Sequence, residues 1–210
     1  MRILITAGPT REPIDAVRYI GNRSSGKMGK ALAEAAIRAG HQVTLILGPI
    51  FIEMPLAVVA RINVETAQQM FDAVTREFAN NDLIIMAAAV SDFRPKSAHG
   101  DKLARQGALT LELEPTADII GAVGNQKLPH QRTIGFSLEA DDGLERARRK
   151  MLEKNLDLIV FNPLRTLDAA TIDATFLYPD GRSEKVSSRP KAELADILLQ
   201  RAADLFATMA

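Results

Sequence analysis

Residues 21–28 read Gly21-Asn-Arg-Ser-Ser-Gly26-Lys27-Met28, a glycine-bounded basic segment. It falls one residue short of the phosphate-binding pattern G-x-x-x-x-G-K-[ST]. The departure is chemical, because Met28 has no hydroxyl to offer a magnesium ion. Ser24, Ser25 and Gly26 stand where a helix would begin. There they serve either as simple N-caps or as a source of unpaired N–H groups and the positive dipole end for a phosphate. Asp92 follows Ala87, Ala88 and Ala89, whose small side chains let a flat ring approach the backbone. Its carboxylate suits ribose hydroxyls or a metal, or else starts a turn before Arg94-Pro95. Lys102 lies in the long irregular stretch 93–110 and could meet a charged substrate or only solvent; loops of that length in compact domains are often functional lids. Arg146, Arg148, Arg149, Lys150 and Lys154 form a local basic cluster that faces a polyphosphate or is a solvated face.

Several chemistries are excluded. With no cysteine in 210 residues there is no disulfide framework, thiolate zinc site, iron–sulfur cluster or cysteine nucleophile. His41, His99 and His130 are scattered without metal-ligand spacing, and no G-x-S-x-G elbow occurs. Gly8, Gly26 and Gly29 do not fit the dinucleotide fingerprint G-x-G-x-x-G, and Leu47-Gly48-Pro49 stands where an acidic ribose ligand is expected, which argues against a Rossmann-like reductase. Basic and acidic residues balance at 26 each, so no overall field favours nucleic acid or an anionic membrane. No apolar run approaches a membrane span or a signal-peptide core, and a cytoplasmic address is the default expectation. What remains is catalysis by positioning and charge stabilisation, without a covalent enzyme intermediate.

The length fits one domain, here taken as residues 1–210. Apolar runs over 2–6, 43–47, 83–89, 133–136 and 156–161 read as strands. Helices are expected over 26–39, capped by Ser24 or Ser25, from Thr66 with capping-box spacing to Gln69, over 144–155, and over 190–207. Asp180-Gly181 between two polar–apolar runs predicts a C-terminal β-hairpin. The alternation predicts an α/β fold: an open, mostly parallel Rossmann-like sheet with helices on both faces. Ligands then bind at the carboxyl ends of strands, in segments 8–29, 87–102 and 135–139.

The opening Ile3-Leu-Ile-Thr-Ala-Gly-Pro-Thr-Arg-Glu-Pro-Ile-Asp-Ala-Val-Arg-Tyr-Ile-Gly-Asn-Arg-Ser-Ser-Gly-Lys-Met-Gly29 resembles phosphopantothenate–cysteine ligase of coenzyme A biosynthesis. Ala87-Ala-Ala-Val-Ser-Asp-Phe-Arg-Pro95, Gly135-Phe136 and Lys154-Asn-Leu-Asp-Leu-Ile-Val-Phe-Asn162 resemble later motifs of that family in the same order. The resemblance implies a ligase joining 4′-phosphopantothenate to cysteine with CTP and Mg2+ through an acyl-cytidylate, in a homodimer. By the same resemblance Asn22 and Lys102 are catalytic. The nucleotide site it implies is Gly8, Ser24, Ser25, Gly26, Ala88, Asp92, Lys102, Ala117, Asp118, Ile119, Ile120, Phe136, Lys150 and Lys154. Metal ligands stay unassigned, as does the choice between CTP and ATP. Two departures stand out: the usual lid Lys-Ile-Lys-Lys is Lys102-Leu-Ala-Arg105, and Lys-Asn-Pro-Asp-Ile is Pro115-Thr-Ala-Asp-Ile119. They motivate an alternative, a diverged nucleotide- or phosphopantetheine-binding protein without turnover. Many family members are fused behind a flavin-dependent decarboxylase. No decarboxylase half occurs in this sequence, so the partner is expected as a separate or removed phosphopantothenoylcysteine decarboxylase.

Overall fold

The computed structural model describes residues 1–105, 107–140, 142–166 and 171–207. Its frame is built from apolar strands buried on both faces. β1 (Arg2–Ala7), flanked by parallel neighbours, buries five consecutive residues, as a central parallel strand must. After β1 the chain makes a small antiparallel hairpin, β2 (Arg11–Pro13) and β3 (Tyr19–Gly21), then α1 (Lys27–Arg38) and β4 (Gln42–Leu47). β5 (Ala60–Asn63), α2 (Ala67–Phe78) and β6 (Leu83–Met86) follow. A second hairpin, β7 (Phe93–Pro95) and β8 (Leu113–Pro115), precedes α3 (Ile119–Gln126) and β9 (Arg132–Glu139). The chain closes with α4 (Leu144–Glu153), β10 (Leu158–Pro163), a 3-10 turn at Leu164–Thr166, β11 (Thr171–Leu177), β12 (Ser183–Pro190) and α5 (Lys191–Ala207).

The eight-stranded sheet runs β12-β11-β10-β9-β6-β1-β4-β5. The six strands from β5 to β10 are parallel, and β11 and β12 add antiparallel at one edge. The α/β, Rossmann-like reading of the sequence therefore holds. The Asp180-Gly181 turn joins β11 to β12, with Gly181 at φ 91 and Arg182 N–H bonded to Asp180 at 3.0 Å. Strand alternation sorts the helices between two faces. Ile3, Ile5, Leu45 and Leu83 pack with Leu32 and Ala36 of α1 and Leu194 and Leu198 of α5. Leu4, Ile46 and Ile84 pack with Met70, Val74 and Phe78 of α2 and with Ile119 and Val123 of α3. Ala147 and Met151 of α4 cover Ile159, Phe161 and Leu177. Each such fully buried aliphatic side chain contributes about 1.5–3 kcal/mol.

Thr66 caps α2 through the expected capping box, accepting from Gln69 N–H at 3.2 Å. α1 differs from expectation. Its N-cap is Gly26 in a left-handed conformation (φ 75), with no side-chain cap, so neither Ser24 nor Ser25 takes that role. The strand expected over 83–89 stops at Met86, because the following residues turn away to bond the loop after β1. Among the described residues no helix is long and apolar enough to cross a membrane.

Candidate functional site

Chain order reverses between β1 and β6: β1, β4 and β5 build outward on one side, β6, β9 and β10 on the other. In open α/β sheets ligands bind outside the carboxyl ends of the strands at this switch point. The two loops leaving it are stitched together. Ala89 N–H donates to Gly8 O at 2.9 Å, Thr10 N–H to Ala89 O at 3.1 Å, and Ala88 N–H to Thr6 Oγ1 at 3.2 Å. This seam floors a cleft of about 810 Å³, roofed by the start of α3 and walled by α4 and the end of β9.

Eleven of the sequence-predicted site residues line that cleft: Asn22, Ser24, Ala88, Asp92, Ala117, Asp118, Ile119, Ile120, Phe136, Lys150 and Lys154. An adjoining pocket of about 130 Å³ opens along the start of α1 and is lined by Ser24, Ser25, Gly26 and Phe136. Gly8 lies beneath, buried with φ 79. Lys102 is exposed on the β7–β8 loop and is not among the described residues lining either space.

Three glycines shape the site although their spacing hides them. A Cβ on Gly8 would lie 2.8 Å from Ile50 Cγ2, and one on Gly26 2.9 Å from the same atom; one on Gly29 would lie 2.2 Å from Ala7 Cβ. Gly8 makes the turn, Gly26 lets the backbone turn into α1, and Gly29 lets α1 press on β1. These are the roles that the dinucleotide fingerprint divides among its glycines. Here the β2–β3 hairpin is inserted between the first and second.

Asn22 emerges from β3 and spans the cleft floor, its Nδ2 donating to Ala89 O at 3.2 Å and Val90 O at 3.0 Å. Asp118 caps α3, accepting from Gly121 N–H at 3.1 Å, and its carboxylate also receives Lys154 Nζ at 2.8 Å. Burial is the main cause holding the Lys150 ammonium below its usual 10.5; the like charge of Lys154 adds to it, while Glu139, Asp92 and Asp118 oppose it. The site thus sets two lysines and an uncapped helix start, groups that suit an anionic ligand, among three carboxylates.

Sequence reasoning gave no site role of their own to Asn162, the last residue of a quoted motif, or to Glu139, the last of the candidate segment 135–139; both also line the cleft. Asn162 is buried at the end of β10 and donates to Asp173 O at 2.9 Å; Glu139 ends β9 and accepts from Arg146 Nε at 3.2 Å. Their signal was position: polar residues at the carboxyl ends of buried parallel strands. Asp92 and Glu139 place carboxylates in the cleft lining, the donor type that commonly holds magnesium together with substrate phosphates. Among the described residues no group of three or more His, Cys, Asp or Glu side chains forms an all-protein cage.

Residues 1–205 match the family model described as the DNA/pantothenate metabolism flavoprotein C-terminal domain. The coenzyme A biosynthesis bifunctional protein CoaBC of Bacillus subtilis is 40% identical over 208 residues, covering 97% of this chain and 51% of that protein. The chain therefore spans about half the length of that curated relative. A crystal structure of the C-terminal domain of a CoaBC protein matches with a TM-score of 0.86 at 39% identity, over 99% of this chain and 96% of that one. A Cab2 mutant in complex with phosphopantothenate-cysteine shares the fold, with a TM-score of 0.80 at 18% identity, over 99% and 88% of the two chains.

Proposed function

The chain belongs to the DNA/pantothenate metabolism flavoprotein C-terminal domain family, and on that premise we propose that it is a ligase of coenzyme A biosynthesis, joining 4′-phosphopantothenate to cysteine at the expense of CTP. The observation that carries this reading is the cleft at the switch point, where Asn22 meets the β6 loop beside Lys150 and Lys154, with the uncapped start of α1 along the adjoining pocket. The match to the C-terminal domain of a CoaBC protein along nearly all of both chains supports assigning that role to this half.

In the first step a carboxylate oxygen of 4′-phosphopantothenate attacks the α-phosphorus of CTP, and pyrophosphate leaves. Negative charge grows on the phosphoryl oxygens, and the N–H groups at the start of α1 with the ammonium groups of Lys150 and Lys154 offset it. In the second step the cysteine amine attacks the acyl carbon and CMP leaves with the oxygen that came from the carboxylate. Both amide hydrogens of Asn22 are committed to Ala89 O and Val90 O. Its remaining capacity is the side-chain oxygen, an acceptor that suits an incoming amine. Donation to the acyl oxygen needs one of those hydrogen bonds to open. Asp92, a carboxylate of the cleft lining, would help hold a magnesium ion, which would supply further charge neutralisation there.

Self-association is part of the proposal. Val17 (63% exposed), Tyr19, Phe93 and Leu113 stand out from the two small hairpins, whose β2 and β7 lie against each other. These exposed apolar side chains support an interaction surface, which the proposal assigns to a second copy of the chain. A phosphopantothenoylcysteine decarboxylase, fused or separate, is the natural consumer of the product.

The test is pyrophosphate release with magnesium, omitting CTP, 4′-phosphopantothenate and cysteine in turn and substituting ATP for CTP. Release that requires CTP and 4′-phosphopantothenate, with amide product only when cysteine is present, is the expected result. CTP binding with no release from folded protein would favour the second reading, a nucleotide-binding protein without turnover, for which the position of Lys102 outside the cleft lining speaks.

A further inference from the structure

The carboxylate of Asp15 is wholly buried in the turn between β2 and β3. Two of its bonds are local: Oδ1 accepts from Val17 N–H at 2.9 Å and Arg18 N–H at 2.7 Å. The Arg18 guanidinium closes on Oδ2 through both Nε and Nη2. One further bond reaches across the chain, from Leu103 N–H to Oδ2 at 3.1 Å. Arg18 Nη2 then donates to Leu103 O at 3.0 Å, so both peptide groups flanking Leu103 are gripped by the same ion pair. His99 N–H adds a third tie, to Ile14 O at 3.0 Å. The bonds within residues 15–18 hold the turn itself; those between the ion pair and Leu103, and from His99, hold the β7–β8 loop.

That loop is tied at both ends. Its base sits at the cleft, where Thr116 N–H donates to Asp92 O at 3.0 Å and Thr116 Oγ1 to Ser91 O at 2.6 Å. Its far part rests on the Asp15 turn. Lys102 immediately precedes Leu103, and Arg18 leads through β3 into Asn22. The segment bearing Lys102 and the strand that carries Asn22 into the cleft are therefore joined through one buried carboxylate.

We propose that Asp15 is a positioning residue that fixes the loop at Leu103, so that Lys102 starts each turnover from one place relative to Asn22 and the cleft. The inference rests on the ligase reading above for what Lys102 then does, but the tether is a property of the protein alone. Holding a reacting group near its working place removes a search that chemistry would otherwise wait for.

Trypsin reports on the loop directly, because Lys102 and Arg105 are cleavage points on it. Asp15→Asn keeps the side-chain size but removes the charge that holds Arg18 and one acceptor of the Leu103 tie. At least tenfold faster cleavage after residues 102 and 105 is expected, with cleavage after Arg182, in the β11–β12 turn, at the wild-type rate. With the three substrates, kcat should fall about tenfold while KM for CTP stays within twofold. Unchanged loop cleavage in a folded variant overturns the tether, and faster cleavage with wild-type kcat overturns the positioning role. If Asp15→Asn does not fold, hydrogen exchange of the unaltered protein decides the tether: Leu103 N–H should exchange at least a hundredfold more slowly than the amide of exposed Ala104, and equal rates would overturn it. A wild-type protein that released no pyrophosphate would count against the ligase reading alone, and the cleavage and exchange results would still decide the tether.

Discussion

Replacing Gly29 with alanine tests the packing that shapes the cleft. The added Cβ would lie 2.2 Å from Ala7 Cβ and 3.0 Å from Ala7 Cα. Carbon atoms rest about 3.5–4.0 Å apart, so the start of α1 must back away by roughly 1.5 Å. Ala7 cannot yield, since β1 is hydrogen-bonded to β4 on one side and β6 on the other. Overpacking of this kind costs about 1–3 kcal/mol, and better helix propensity returns at most about 1 kcal/mol. A net loss of about 1–2 kcal/mol lowers Tm by about 2–8 °C for a chain of this size. Nucleotide affinity should suffer more than that stability loss suggests, because residues 24–29 line the pocket along α1; a tenfold loss in Kd, about 1.4 kcal/mol, is expected. Urea unfolding and calorimetric titration with CTP measure both. Gly100→Ala is the control, with no atom of the described residues within 4 Å of its added Cβ, and should stay within about 0.5 kcal/mol of wild type. A Gly29→Ala protein with wild-type midpoint and CTP affinity would refute the reasoning.

Four further outcomes are expected. Asn22→Ala should lower turnover by about a hundredfold, because the cleft loses the acceptor that places the incoming amine, while Kd for CTP changes less than threefold; equal losses in both would remove Asn22 from the chemistry. Asp118→Ala removes the α3 cap and should cost about 1 kcal/mol in urea unfolding, and an unchanged midpoint would show that α3 needs no cap. Lys150 releases its proton below the usual 10.5 in the folded protein, whereas the unfolded chain holds its own up to that value. Stability should therefore rise with pH between the two, while CTP binding weakens across the same window; Lys150→Met should abolish both trends in titrations from pH 7 to 10.5. Arg2 holds Asp82, and Arg201 holds Glu184, below the usual carboxylate range. Their stabilisation is present above that range and lost as pH falls through the folded values, so Asp82→Asn should flatten part of the acid decline in the urea midpoint.

The frame was legible because buried parallel strands announce themselves as unbroken apolar runs, as in Ile3-Leu-Ile and Leu83-Ile-Ile-Met86. Thr66 with Gln69, and Asp180-Gly181, were legible because their function is local. Elements held by distant partners were not. The β2–β3 hairpin is short and carries Pro13, and its place depends on Glu12 accepting from Ala67 N–H at 2.8 Å and on Arg11 N–H reaching Glu65 O. Residues 93–110 read as irregular, yet Phe93–Pro95 pair with Leu113–Pro115. β5 is a half-exposed edge strand with Arg61 and Asn63 in it. α3 reads poorly as a helix because Gly121 and Gly124 weaken it, and packing requires both. A Cβ at Gly124 would lie 1.9 Å from Lys154 O, and one at Gly121 2.4 Å from the capping Asp118 Oδ2. At the site the charged residues near strand ends were identifiable by type. The glycine roles were not, since they emerge only when the inserted hairpin brings Gly8 back beside Gly26, and Asn162 read only as the close of a family motif at the end of an apolar run.

The central claim is that the cleft at the switch point transfers a carboxylate oxygen to a nucleotide before it makes an amide. 4′-Phosphopantothenate carrying 18O in its carboxylate, incubated with CTP, magnesium, cysteine and the protein, tests this directly by mass spectrometry of the CMP formed. Ligation through an acyl-cytidylate places one 18O in CMP for each amide made, and Asn22→Ala should allow labelled acyl-cytidylate to accumulate. Amide product alongside unlabelled CMP would contradict the account.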